Sequence, residues 1–208
     1  MPLETGQIAG FLLAALAVTV APGPDNLMVL SLGLSRGRRA GMAFGIGCGL
    51  GCLSHTLLAA LGLAALIQAS PGAFLALRLC GGAYLVWLGI GAWRGGGSFS
   101  PPPAAGPTRL APLFWRGLLA NAINPKVILF FLAFLPQFVI AGRGDEAGQI
   151  ALLGGLFAVQ AALLFGLLGA LAGRIGGWLH RRPGVGKWLD RCAGGVLIAL
   201  GARLMVTR

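Results

Sequence analysis

Two short segments place a charge directly after a proline deep inside apolar sequence: Ala21-Pro22-Gly23-Pro24-Asp25-Asn26 and Asn124-Pro125-Lys126. A proline within a helix removes a backbone donor and clashes with the preceding turn, so each segment interrupts its helix. Asn124 followed by Pro125 reads as an N-cap and first helical residue, and Gly23-Pro24 occupies the matching positions. The charges that follow, Asp25 and Lys126, have opposite signs. Each costs ~2.5–3.5 kcal/mol at the centre of a membrane helix, so neither should face lipid. Asp25 suits the positive start of a helix, and a capping role stands beside any functional one. Lys126 opposes the local dipole and needs a partner: Asp25, another acceptor or an anionic ligand. Converging helix N–H groups, one cation and one carboxylate would suit a zwitterion. Its carboxylate would lie near Lys126 and its ammonium near Asp25, unless Asp25 carries a coupled proton instead. The candidate substrate- and proton-binding set is therefore Pro22, Gly23, Pro24, Asp25, Asn26, Asn124, Pro125 and Lys126, joined by His55 and Asn121.

His55, flanked by Ser54 and Thr56, reads either as an interhelical hydrogen bond or as a proton relay. Asn121, about one turn before the second break, is expected to satisfy carbonyls freed there. Gln160 and Tyr84 are weaker candidates for lining a path. Cys48, Cys52 and His55 share a helix face at i, i+4 and i+7. Three ligands on one helix do not complete a tetrahedral shell, so packing explains the cysteines better and no metal or cofactor is assigned. No disulfide framework is implied.

These residues need a bilayer around them. Of 208 residues 57% are hydrophobic and 10% charged, too apolar for one soluble core. The net charge of +11 lacks the basic face with interleaved aromatics that nucleic acid binding requires. The N-terminal region carries Glu4 and no Lys or Arg, so residues 8–20 read as a span and not a signal peptide. Between Glu4 and Arg36 lie 31 residues with one charge, long enough for a tilted or broken helix. Ser70-Pro71-Gly72 separates span two, from 40 to about 68, from span three, about 73–93. Spans four, five and six follow at about 113–140, 147–172 and 187–206. The sixth is the weakest, with 11 residues between Arg191 and Arg203, and five spans is the alternative. Eleven Lys and Arg residues fall on one side (Arg36, Arg38, Arg39, Arg94, Arg109, Arg116, Arg174, Arg181, Arg182, Lys187, Arg191). Four fall on the other: Arg78, Arg143, Arg203 and Arg208. The first side should be cytoplasmic, with both termini outside.

A shift of 112 lays Cys80, Gly82, Leu85, Leu88 and Gly89 on Cys192, Gly194, Leu197, Leu200 and Gly201. A shift of 101 lays Pro24 on Pro125. Three spans repeated once must be inverted, because three crossings end on the opposite side. The expected fold is thus an all-α integral membrane protein of six transmembrane helices in two inverted three-helix repeats, helices 1 and 4 broken at Pro motifs. The repeats are 1–94 and 113–208, joined by a Gly/Pro-rich cytoplasmic linker at 95–112 that should be non-helical. Inverted repeats with broken helices are an architecture of secondary transporters.

The sequence resembles the LysE/RhtB-type amino-acid exporters over nearly its whole length. The motifs are APGPDN at 21–26, SLGLSRGRRAGMAFGIG at 31–47, His55, GGAYLVWLGIGAWR at 81–94 and NAINPKVILFFLAFLPQFV at 121–139. The resemblance implies efflux of amino acids or their derivatives across the bacterial cytoplasmic (inner) membrane, driven by proton exchange. It also implies that Pro22, Pro24, Asn124, Pro125 and Lys126 belong to the family signature. The partners are then a small-molecule substrate, protons and the bilayer, with no nucleic acid, and a homodimer is left open. Two alternatives remain: a heavy-metal cation exporter resting on Cys48, Cys52 and His55, and a membrane thiol-redox relay, which lacks cysteines at the breaks. An enzyme is not expected, since no nucleophile–base pair or carboxylate cluster lies within the spans.

Overall fold

The computed structural model describes residues 3–21, 23–63, 71–94, 109–140, 145–181 and 183–206, and among them it is helical with no strand. Helices α1 (Thr5–Val20) and α2 (Pro24–Ser35) flank the first break; Pro22 lies outside the described residues. α3 (Arg38–Leu58) continues as a π-helical turn, Ala59–Leu63. α4 (Pro71–Trp93) follows; the expected end of span two near 68 and most of the 95–112 linker lie outside the described residues. α5 (Leu110–Ala122) and α6 (Pro125–Leu129) flank the second break, and α6 runs on through π-helical Phe130–Phe134 and 3-10 Leu135–Phe138. α7 (Glu146–Arg181) and α8 (Pro183–Val206) complete the chain.

Two boundaries differ from expectation. α5 begins at Leu110, so the last residues of the linker are helical; Pro112 sits in the first turn, where its missing N–H has no intrahelical partner to lose. α7 extends well past residue 172, because Gly173, Gly176 and Gly177 weaken a helix without forcing a stop.

Three stretches are apolar and long enough to cross a bilayer alone among the described residues: Arg38–Leu61, Leu75–Trp93 and Glu146–Gly176. α1 with α2, bent by 58°, and α5 with α6, bent by 48°, bring the number to as many as five. α8 packs along α4 but carries Lys187, Asp190, Arg191 and Arg203.

Glycine sets how closely the helices approach. α3 lies at the centre, against α7 on one side and α5 on the other. A Cβ at Gly45 would meet the Phe165 carbonyl at 2.5 Å, and one at Gly41 the Gly169 Cα at 3.0 Å. Positions rise on α3 as they fall on α7, so the two run antiparallel. Gly47 faces Phe114 while Gly51 faces Leu118 and Asn121, so α3 and α5 run parallel. Without these glycines the backbones would be pushed apart. Gly37 acts through its backbone instead, since its φ of +86° before α3 is a left-handed conformation that favours glycine.

α4 and α8 meet reciprocally. A Cβ at Gly82 would lie 2.8 Å from the Gly201 carbonyl, and one at Gly201 2.5 Å from that of Gly82. Gly89 and Gly194 face each other in the same way, at 2.6 and 2.5 Å. Leu85 and Leu197, both buried, lie between the two crossings. The pair is antiparallel, and the 112-residue shift exchanges its two glycine contacts.

Candidate substrate site at the two helix breaks

Both breaks use the same backbone register. Gly23 is the extended N-cap of α2, with Pro24, Asp25 and Asn26 in its first turn. Asn124 is the N-cap of α6, and its Oδ1 accepts from the Lys126 backbone N–H at 3.0 Å. Pro125 takes the first helical position, where no donor is lost. Asp25 and Lys126 thus occupy equivalent places, and both are buried, at 2% and 4% exposure.

Each charge is held by the other half of the chain. The Asn121 amide Nδ2 donates to Asp25 Oδ2 at 2.7 Å. Lys126 Nζ donates to the Ala21 carbonyl, at the end of α1, at 2.9 Å. No ion pair joins Asp25 directly to Lys126 among the described residues. The lysine's partner is a backbone carbonyl left free by the first break. Hydrogen bonds to charged groups contribute roughly 1.5–3 kcal/mol each, so these two link the halves at a buried point.

Asn121 is fully buried and joins several groups. Cys52 Sγ donates to its Oδ1 at 3.3 Å, and His55 Nε2 lies 3.1 Å from its backbone carbonyl. A carbonyl only accepts, so His55 carries its proton on Nε2. The His55 ring also lies 5.6 Å from that of Phe131. Asn121 is expected to satisfy freed carbonyls, and among the described residues its side chain bonds none. Asn26 and Lys126 take those at the first break, the Nδ2 of Asn26 donating to Thr19 O at 2.9 Å. The amide of Asn121 lies beside a buried carboxylate, a stronger acceptor than a carbonyl.

Between these groups is a cavity of about 10 Å³, room for about one water. Thr19, Asp25, Cys52, Asn121 and Lys126 give it polar walls, and Phe157 and Phe165 contribute aromatic ones. The cavity is too small for a molecule much larger than water. Gly23 is needed for space: a Cβ there would come 2.9 Å from Lys126 Nζ.

The structure brings together Gly23, Pro24, Asp25, Asn26, His55, Asn121, Asn124, Pro125 and Lys126. Tyr84 lies elsewhere, against Trp87 on α4 at 5.5 Å. Gln160 is not in the cavity wall, and both of its buried amide atoms lack a partner among the described residues. Among those residues no three His, Cys, Asp or Glu side chains form a group that could hold a metal. Sequence reading missed Thr19 and the part played by Cys52. The i, i+3 spacing of Cys52 and His55 put both on the Asn121 side of α3 and could have pointed to it.

The pattern that defines the LysE type translocators matches residues 16–208. An uncharacterized membrane protein of Vibrio cholerae is 32% identical, covering 95% of this chain and 96% of its own length. A homoserine/homoserine lactone efflux protein of Salmonella typhimurium is 30% identical, covering 95% of each. A threonine efflux protein of Escherichia coli is 29% identical over 95% of this chain and 98% of its own. No solved structure matches.

Proposed function

The chain belongs to the LysE type translocators, multi-pass membrane transporters and not enzymes, and from that premise we propose that it exports amino acids or their derivatives from the bacterial cytoplasm. The efflux named for its homoserine and threonine relatives supports the substrate class. The observation that carries the reading is the pair of cross-half bonds, Asn121 to Asp25 and Lys126 to the Ala21 carbonyl. A zwitterion replaces both at once: its ammonium takes the place of the Asn121 amide on Asp25, and its carboxylate takes the place of the Ala21 carbonyl on Lys126. Substrate binding then releases the bonds that hold the halves together, which couples occupancy to opening.

The same geometry favours proton antiport. Asp25 accepts either a proton or the substrate ammonium, and competition for one carboxylate makes the two travel in opposite directions. His55, with Nε2 committed to the Asn121 carbonyl, keeps Nδ1 for proton transfer.

Six spans in two inverted repeats suit this function, and the antiparallel α3/α7 and α4/α8 pairs with a parallel α3/α5 pair are what six alternating crossings would give. The exchange of Gly82–Gly201 with Gly89–Gly194 under the 112-residue shift favours a two-fold axis between α4 and α8. The packing registers also place Arg38, Arg109 and Arg174 near one end of the α3 bundle, and Arg94 with Arg191 at one end of α4/α8, in keeping with a single basic, cytoplasmic side.

Competitive export of a panel of labelled amino acids, by cells overproducing the chain and by a null strain, tests the reading. Faster export of at least one amino acid by the overproducer is expected. Equal export of the whole panel by both strains would remove it.

A further inference from the structure

A second, apolar site lies on the α4/α8 pair, about two turns along α4 from the glycine crossing at Gly82. Ile90, Trp93, Arg94 and Ile198 enclose a groove of about 260 Å³. Gly91 and Gly195 neighbour its lining residues. A Cβ at Gly91 would meet nothing within 4 Å, and one at Gly195 would first meet the Trp93 ring at 3.3 Å. The groove wall is almost wholly hydrocarbon, and its one charged member, Arg94, stands at the end of α4.

More positive charge gathers at that end. Trp93 packs beside Gly194 and Gly195, one turn beyond Arg191 on α8, so the antiparallel register brings Arg191 towards Arg94. Lys187 follows a further turn out, and half-buried Asp190 is the only acid among them. Arg94, Lys187 and Arg191 are exposed, and their side chains make no ion pair or hydrogen bond among the described residues. Trp93 and Trp188 are also exposed, at 51% and 63%, beside these cations. Tryptophan next to Lys or Arg at a helix end marks the headgroup level of a bilayer.

We propose that this groove binds an anionic phospholipid, with one acyl chain along Ile90, Trp93 and Ile198 and the headgroup phosphate on Arg94. The charge complementarity selects the occupant. A free phosphate would leave the hydrocarbon wall uncovered, and a zwitterionic lipid would set its own cation beside Arg94, Lys187 and Arg191. Basic pockets between membrane helices at the headgroup level recognise lipids in this way. The lipid would brace the α4/α8 pair away from the substrate cavity.

Native mass spectrometry of the purified protein, titrated with phosphatidylglycerol or phosphatidylcholine of the same chains, tests this. The wild type should retain phosphatidylglycerol about fivefold better, the ratio expected for one interfacial cation. Arg94→Gln should reduce that preference to parity, while Arg38→Gln, an exposed cation beside α3, should leave it intact. Ile90→Trp, which fills the groove, should reduce retention of both lipids. Equal retention by the wild type, equal loss from Arg38→Gln and Arg94→Gln, or full displacement by inorganic phosphate would overturn the proposal. A lipid-free dimer whose formation depends on Ile90 would assign the groove to a second copy and overturn it too.

Discussion

The two helix breaks share one backbone device and differ in what they place on it. At the second, Asn124 caps its own helix, and its side chain holds the Lys126 backbone. At the first, Gly23 caps nothing with a side chain, because Lys126 Nζ occupies the space a Cβ would need. Asp25 agrees with its helix dipole and finds a side-chain donor, Asn121. Lys126 opposes its dipole and reaches across to a carbonyl that the first break set free. The first break thus presents a buried acceptor, and the second a buried donor. Side chains of opposite sign at equivalent positions make the two breaks complementary.

The largest separation between the breaks should come from removing the cation. Lys126→Ala should lower amino-acid counterflow in proteoliposomes by about 100-fold, with helicity by circular dichroism unchanged, since a buried charged bond contributes up to about 3 kcal/mol. Counterflow within a few-fold of wild type would reduce the lysine to a structural role. Asn121→Ala, on the acidic side, should cost roughly tenfold in the same assay, because the carboxylate survives without its donor. A loss equal to that of Lys126→Ala would make the two sides equivalent after all.

The caps should separate in the opposite sense. Asn124→Ala removes a capping bond and should lower stability by about 1 kcal/mol, read as a lower melting temperature in detergent. Gly23→Ala has no backbone strain to overcome, since its φ of −169° is extended. Its Cβ displaces the ammonium, so it should slow transport more than it lowers melting. The smallest effects belong outside both breaks. Tyr84→Phe should leave transport unchanged, and Gln160→Leu should hold or raise the melting temperature, because it replaces a buried amide with no described partner. A transport defect in Gln160→Leu would extend the path beyond the cavity.

The breaks themselves were legible in the sequence, because Asn-Pro and Gly-Pro after apolar runs have few other physical readings. The glycine repeat was legible as spacing, though not the reciprocal contacts it makes. The partner of Lys126 was not readable at all: a backbone carbonyl has no residue signature, and only the bend of α1 against α2 brings that of Ala21 within reach. Asn121 reads in the sequence as a donor to freed carbonyls, while its amide donates to Asp25, since their distance along the chain conceals the contact. Cys52 was read as packing, and Thr19 not read, because a small polar residue in a helix commonly bonds its own preceding turn, as Thr19 does with Ala15.

Whether one zwitterion bridges Asp25 and Lys126 is tested most directly by ligand-induced thermal stabilisation of the purified protein, comparing a transported amino acid with its carboxamide and its N-acetyl derivative. The wild type should be stabilised by the amino acid and by neither derivative. Lys126→Ala should lose discrimination against the carboxamide alone, and Asp25→Asn against the N-acetyl derivative alone. Variants that both retain the full wild-type discrimination would contradict the bridge.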